Sequence, residues 1–388
     1  MRMLQRLDEP PGLNEAERMT LDAVKALCRD QIGAHAAAFD ESAEFPWDNV
    51  RAINALGLNA MFVPEEHGGA ALSYTTYLAC QREIAKACAA TGIIWGTNFH
   101  AAKPLIDFAD EEQSRRFLPR IADGALLSLC ITEPNAGSDA TGMTTRFTPD
   151  GEDIVVSGGK TFISTGDHAD LLVVFGKWSE IDNPKGAISV LVLEKGTPGL
   201  EVLRLENKMG LRASSTAALA FNDCRVPRAN LLGEPGDGLR ILFSALNKSR
   251  PSIAAHALGI ARAAFEDSVA YINQRRQSGR NIIEFQGIQF LLADLAAELA
   301  LCESWLWQVG QLVQAGETDI GVEASTLKLR ATDLAMRMTT EAVQLHGGYG
   351  YCKDLRVERL MRDAKITQIW EGTKQVHQQF IGRSFIEK

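Results

Sequence analysis

The feature that most constrains this chain is the order in which its textures follow one another: helical, then β-rich, then helical again. From Asn14 to about Gly124 apolar residues recur at helical spacing, and Ser73 and Asp110, the latter before Glu111 and Glu112, stand where helix N-caps belong. From Leu126 the pattern becomes short apolar or β-branched runs, Leu126 to Thr132, Asp153 to Ser157, Leu171 to Phe175 and Ile188 to Leu193, separated by Gly, Pro, Asn and Asp. After Gly238 helical spacing returns, with Ile288, Leu291, Leu292, Leu295 and Leu299 on one face. Nucleotide-binding α/β folds alternate strand and helix instead. The expectation is an α+β multidomain protein with a helical domain over 1–124, a β domain over 125–238 and a helical bundle over 239–388.

Partners are bounded by charge. Forty Lys and Arg against 49 Asp and Glu leave −9, so no global basic field exists to collect nucleic acid or anionic membranes. No stretch approaches 18 uncharged apolar residues, which argues against a membrane span. Seven dispersed cysteines form no CxxC pair, a usage that suits a reducing compartment. Residues Met1 to Met19 lack an apolar core of the secretory kind, so a cytoplasmic location is expected.

Common catalytic signatures are missing. His346-Gly347-Gly348-Tyr349-Gly350-Tyr351 follows a helical stretch, so it lacks the strand-to-helix context of a dinucleotide fingerprint. Gly158-Gly159-Lys160-Thr161 resembles the end of a phosphate loop, but a strand follows it. The seven histidines show no H-E-x-x-H spacing and no cysteine partners at zinc distances, so no metal is expected. Ser138 sits in Ala136-Gly137-Ser138-Asp139-Ala140, not in a nucleophile elbow.

Three segments carry chemistry. Leu126 to Asp139 reads as a strand entering a turn of small and polar residues, which is either an ordinary connection or a nest of backbone N–H groups for an anion. In Lys160 to Gly166, strand alternation puts Phe162 and Ser164 on one side, where a planar ring could stack and bond unless the Phe is simply core. Near the end, Ile369-Trp370-Glu371-Gly372-Thr373 sets a carboxylate after two apolar residues. Apolar walls make a carboxylate a stronger base, whereas a surface Glu opening a turn would do no chemistry.

Together these segments resemble the acyl-CoA dehydrogenase family along nearly the whole chain to Ile381, with further matches at Met209 to Thr216, Val226-Pro227, Arg275 to Gly279, Glu284-Phe285-Gln286, Gln344 to Gly350 and Arg359 to Lys365. The resemblance implies a helical domain, a β-barrel-like domain and a C-terminal four-helix bundle, FAD between the last two, and a homotetramer built as a dimer of dimers. By similarity Leu129, Ile131 and Thr132 would meet the flavin ring, Gly137 and Ser138 would serve the pyrophosphate and substrate region, Phe162 would pack by the isoalloxazine, and Ser164 would bond near N5. Arg275, Phe285, Gln286, Gln344 and Gly348 would reach a neighbour's FAD, while Thr373 and Gln375 would close the site. Arg250 would line the thioester channel, with Gly372 and Ile94 also facing substrate. Glu371 would take the α-proton of an acyl-CoA while the β-hydrogen leaves as hydride to N5, giving a trans-2-enoyl thioester whose electrons pass to an electron-transferring flavoprotein.

Departures from the family pattern matter too. Ser249 stands where some branches place the base, leaving Glu371 for that work. Ser278 replaces a frequent Phe beside the flavin, which points to weaker cofactor retention. Ile94 stands where relatives acting on dicarboxylyl thioesters carry Arg, so a neutral acyl tail is expected, with Trp95 reshaping its cavity. The same fold and flavin also serve oxidases, monooxygenases and desulfinases, many lacking the glutamate, and a scaffold without activity is the remaining alternative.

Overall fold

The computed structural model describes residues 2–386. Helices open the chain: α1 (Arg2–Gln5), α2 (Glu15–Leu27), α3 (Gly33–Ser42), α4 (Trp47–Ala55), α5 (Tyr74–Ala87), α6 (Ala89–Phe108) and α7 (Glu111–Ala122). Their starts follow the caps: Ser73 accepts from the N–H of Thr76, and Asp110 forms a capping box with Gln113. Asn14 makes a capping box with Glu17, whose other carboxylate oxygen takes the N–H of Ser73 and so ties α2 to α5.

Strands β1 (Leu127–Cys130), β2 (Arg146–Asp150), β3 (Asp153–Ser164), β4 (Leu171–Trp178), β5 (Ile188–Glu194), β6 (Leu200–Leu205), β7 (Thr216–Pro227) and β8 (Leu231–Leu232) make one sheet. Its path runs β6-β7-β3-β2-β4-β5-β8, with β1 beside β4. The ends β6 and β8 do not pair, so the barrel-like sheet is not closed. It does curl. Leu172, Val174 and Trp178 of β4 share a core with Ile154, Val156, Leu219 and Phe221 from β3 and β7, while Leu171, Val173 and Phe175 face Leu105, Phe117 and Ile121 of the helices. Burial on both faces explains why β4 reads as a continuous apolar run in the sequence.

The chain then enters α8 (Gly238–Gln274), a hairpin of β9 (Arg276–Gln277) and β10 (Arg280–Asn281), α9 (Gln286–Gln314), α10 (Gly321–His346), α11 (Gly348–Tyr351), α12 (Val357–Thr367) and α13 (Lys374–Arg383). One apolar core joins α2, α5 and α6 to α8, α9, α10 and α12, so the two helical regions are packed as a single body. Among the described residues no helix is long and apolar enough to cross a membrane.

Candidate functional site

Three groups of residues meet the expected chemistry, and buried polar groups position the first two. After β1 the chain turns through Glu133 and Ala136, which exchange two backbone hydrogen bonds of 3.1 Å. The Glu133 carboxylate fastens this turn from inside, accepting from Lys160 Nζ at 2.7 Å, Thr144 N at 2.6 Å, Thr144 Oγ1 at 2.7 Å and Thr145 N at 3.0 Å. Burial alone would lift this carboxyl, but Lys160 and the donors outweigh it and hold it down to about 2. Lys160 also donates to the Ile131 carbonyl at 3.0 Å, and Thr161 N–H to the Thr132 carbonyl at 2.9 Å, so the end of β3 is sewn to the β1 turn.

That seam brings Leu129, Ile131 and Thr132, all half-buried, beside Phe162 and Ser164. Simple strand alternation does not operate here, because the β3–β7 ladder breaks between Lys160 and Ile163. Phe162 falls in the break with φ +58° and 63% of its surface exposed, Ile163 returns to the core, and Ser164 is half-buried. An exposed aromatic ring held in the left-handed region is a costly arrangement, of a kind that clusters at ligand sites. Gly137 and Ser138 lie exposed beyond the turn, and a Cβ on Gly137 would meet open space.

Glu371 lies between α12 and α13 in a left-handed turn, with φ +53° at Glu371 and +98° at Gly372. A Cβ at Gly372 would stand 3.0 Å from His377 Nε2, so both conformation and space demand glycine. Thr373 caps α13 through the N–H of Val376, Lys328 Nζ donates to the Gly372 carbonyl at 2.6 Å, and Ser249 Oγ donates to the Glu371 carboxylate at 2.6 Å. The half-buried Glu371 therefore does not wave in solvent. Its backbone N–H donates to no group among the described residues.

The walls differ from those the sequence suggested. Ile369 is 49% exposed, and Trp370 turns into the helical core with its ring 5.9 Å from that of His256. Cations surround the carboxylate instead. Burial pushes Lys328 down to about 7, against the pull of Glu371, and lowers Arg250 in the same way. Arg250 bonds Ser325 Oγ at 3.2 Å and leaves its Nε without a partner.

The third group lines a cleft of about 930 Å³ between the end of α8, the start of α9 and the end of α10, where Arg275, Phe285, Gln344 and Gly348 converge. Gln286 is exposed beside it at the first position of α9. Gly347 and Gly348 face open space, and Arg275 lies 5.7 Å over the ring of Tyr349. Ser278 occupies the exposed hairpin tip with φ +49°, followed by Gly279 at +82°. No residue of the β1 turn and no part of Glu371 lines this cleft.

Two further expected residues have other surroundings, one in the core and one at the surface. Ile94 is buried with Val50 and Leu126 in a small apolar cluster and serves as core, and Gln375 is exposed on α13. Sequence reasoning missed Lys328, His377, Tyr271 and His346. Lys328 left a trace, since it shares the buried face of α10 with Ala324, Leu327 and Ala331. His346 stacks on Tyr271 at 4.3 Å in the cleft, a pairing that only the tertiary fold brings together. Taken together, an exposed ring on a strained backbone, glycines facing open space and an arginine at the cleft rim fit the flavin that the resemblance implies.

Comparison with known proteins covers the whole architecture. Residues 14–125 match the model described as acyl-CoA dehydrogenase, N-terminal domain, residues 128–224 the middle domain and residues 236–386 the C-terminal domain. A probable acyl-CoA dehydrogenase, FadE25, of Mycobacterium tuberculosis is 37% identical over 365 residues, 94% of each chain. A short-chain specific acyl-CoA dehydrogenase of Clostridium acetobutylicum is 37% identical over 94% of this chain and 96% of its own. Among solved structures, butyryl-CoA dehydrogenase of Megasphaera elsdenii superposes with a TM-score of 0.94 at 34% identity, over 97% of this chain and 99% of the other.

Proposed function

The chain belongs to the acyl-CoA dehydrogenase family, oxidoreductases that act on acyl-CoA, and from that premise we propose that it converts an acyl-CoA to the trans-2-enoyl-CoA with Glu371 as base. The observation that carries this reading is the Glu371 carboxylate, half-buried on a left-handed turn and fastened by Ser249. A base that takes a proton from carbon needs a fixed approach, and the anchors supply it. Ser249 orients one carboxylate oxygen, Lys328 holds the neighbouring carbonyl, and Arg250 and Lys328 offset the cost of burying the charge. The unpartnered N–H of Glu371 donates to the thioester carbonyl, where negative charge develops as the α-proton leaves.

In this reading the flavin is FAD. Leu129, Ile131, Thr132, Phe162 and Ser164 hold its ring system, with Gly137, Ser138, Thr373 and Gln375 toward the substrate side, and bound FAD supplies the acceptor for the two electrons and the β-hydrogen. Arg275, Phe285, Gln344 and Gly348, with Gln286 beside them, form a second region for the far end of a neighbouring subunit's FAD, which requires a partner subunit, and the assembly in this reading is a homotetramer. Phe290, Leu301 and Trp305 on α9 leave apolar surface for such an assembly. The reading includes an electron-transferring flavoprotein as acceptor, a cytoplasmic location, and division of the chain at 1–124, 125–238 and 239–388.

The test is Glu371→Gln. The variant's carboxamide keeps the carboxylate's shape and the Ser249 contact but loses the base, so it binds FAD while anaerobic bleaching by acyl-CoA slows by about 10²–10⁴-fold. Bleaching at the rate of the unaltered protein would refute the assignment.

A further inference from the structure

Behind Glu371 the helical core contains polar atoms that no group among the described residues satisfies. Ser249, Ser252 and His256 fall on one face of α8 at i, i+3 and i+7, a stripe running roughly 10 Å along the helix from the residue that holds the base. Ser252 is fully used, bonding Tyr77 Oη at 2.7 Å and His100 Nε2 at 2.9 Å. His256, at the far end and wholly buried, is not.

Its tautomer follows from its partner. Gln81 Nε2 lies 3.0 Å from the Gly92 carbonyl and 3.2 Å from His256 Nδ1. A carbonyl can only accept, so the Gln81 nitrogen is correctly placed, and both of its protons are given, one to Gly92 and one to Nδ1. Nδ1 is then the acceptor, and the ring proton sits on Nε2. Burial, with His100 nearby, pushes His256 down to about 3, so the ring stays neutral.

His256 Nε2–H has no acceptor, nor have the indole N–H groups of Trp95 and Trp370. These three residues are linked through shared neighbours. Trp370 follows the ring of His256 at 5.9 Å, Trp95 lies 5.0 Å from the ring of Tyr77, and Trp95 is one helical turn from the Gly92 carbonyl that Gln81 grips. Gly96, where a Cβ would crowd the Gln81 amide at 3.2 Å, leaves room for that grip. Leaving a buried donor unpaired is costly, and a purely aliphatic ligand would leave all three in that state.

We propose that this region is a specificity subsite for an uncharged oxygen, a carbonyl, hydroxyl or ether, carried by the acyl group beyond its β-carbon and received by His256, Trp95 and Trp370. The unpartnered groups here are the three neutral donors and one neutral acceptor, Gln81 Oε1, with no cation among them, so a carboxylate would be buried without a counter-charge and is disfavoured. The inference rests on the reading of Glu371 as the base of an acyl-CoA dehydrogenase, and it adds the class of acyl group.

The experiment compares octanoyl-CoA with analogues in which one methylene beyond the β-carbon is replaced by an ether oxygen or a carbonyl. The readout is kcat/KM for anaerobic flavin reduction by the purified holoenzyme. At least one oxygen-bearing analogue should exceed octanoyl-CoA by 10-fold or more, and the ratio should collapse to about 1 in His256→Phe and fall in Trp95→Phe. Should His256→Phe not fold, Trp95→Phe and the analogue series in the unaltered protein still decide the matter. Preference for octanoyl-CoA over every analogue overturns the subsite and leaves the base assignment standing. An oxygen preference that persists in folded variants overturns the residue assignment, and reduction by none of the thioesters overturns both readings.

Discussion

Replacing Lys160 by Met tests whether the flavin-side turn is held by a buried ion pair. Lys160 and Glu133 have side chains 0% and 3% exposed and approach to 2.7 Å. Methionine fills most of the lysine volume but leaves the Glu133 charge without its counter-ion. Breaking a buried pair from one side costs about 3–5 kcal/mol. Three other donors, from Thr144 and Thr145, remain on the carboxylate, so the lower end applies, about 3 kcal/mol or a little over 100-fold in an opening equilibrium. Native-state hydrogen exchange over the peptide spanning β1 to β3 reads that local opening without requiring the whole protein to unfold in one step. The pH dependence gives a second reading. With Lys160 present, Glu133 is held to about 2, below its unfolded value of 4.5, so its contribution is present above 4.5 and lost as pH falls through 2. Without Lys160 the buried carboxyl prefers its proton, so the variant's deficit shrinks on acidification from pH 7 to pH 5. Protection within about 1 kcal/mol of the unaltered protein, or a deficit that grows on acidification, would refute the ion-pair account.

Further outcomes follow from the same physics. Lys328 is pushed down to about 7 from 10.5, so the unfolded chain holds a proton that the folded one has lost, and stability should rise between pH 7 and 10.5 by up to about 1.4 kcal/mol per unit. Lys328→Met should lack that rise in urea midpoints and, with the Gly372 carbonyl untied, should reduce flavin about 10-fold more slowly. His256 and His377, both wholly buried and pushed down to about 3, should each remove about 1.4 kcal/mol per unit as pH falls from 6.5 toward 3. Thermal scans of His377→Gln between pH 4 and 6 should show roughly half of that dependence. Phe162→Gly should relieve about 1 kcal/mol of left-handed strain in the apoprotein while weakening FAD retention, seen as opposite changes in urea midpoint and FAD dissociation constant.

The layer order was legible because it is written in periodicity. Ser73 and Asp110 cap helices because their side chains serve the nearest orphan N–H groups, a purely local transaction. Strand β6 escaped notice because it is an edge whose Glu201 to Leu205 face solvent, and Thr216 to Pro227 of β7 because Asn222 and Asp223 interrupt its pattern like a turn. At the site, Glu371 and Phe162 could be named from their motifs. Their environments could not. The carboxylate's neighbours come from α8 and α10, 122 and 43 residues earlier, and no local pattern reports that Ser249 and Lys328 converge on one turn. For Ile94 a motif position named a substrate contact, and only the fold reports that it packs with Val50 and Leu126.

Backbone strain connects these particulars. Among the described residues, eight non-glycine positions have left-handed φ, and three of them, Phe162, Ser278 and Glu371, lie in segments assigned to the cofactor or substrate region on other grounds. Such conformations persist only where surrounding contacts over-determine them, at about 1–3 kcal/mol each. At Phe162 the restraint is the seam of Thr161 to Thr132 and of Lys160 to Ile131 and Glu133. At Glu371 it is Ser249 on the carboxylate and Lys328 on the next carbonyl. Ser278 has the lighter load, because a two-residue hairpin with glycine at the second position favours left-handed φ at both. The groups that would touch flavin or thioester are thus set by residues one step behind them, and removing Lys160 or Lys328 should loosen that setting while every reacting group stays in the sequence. The protein spends buried charge, which contributes little net stability, on holding two side chains in orientations their own backbones resist.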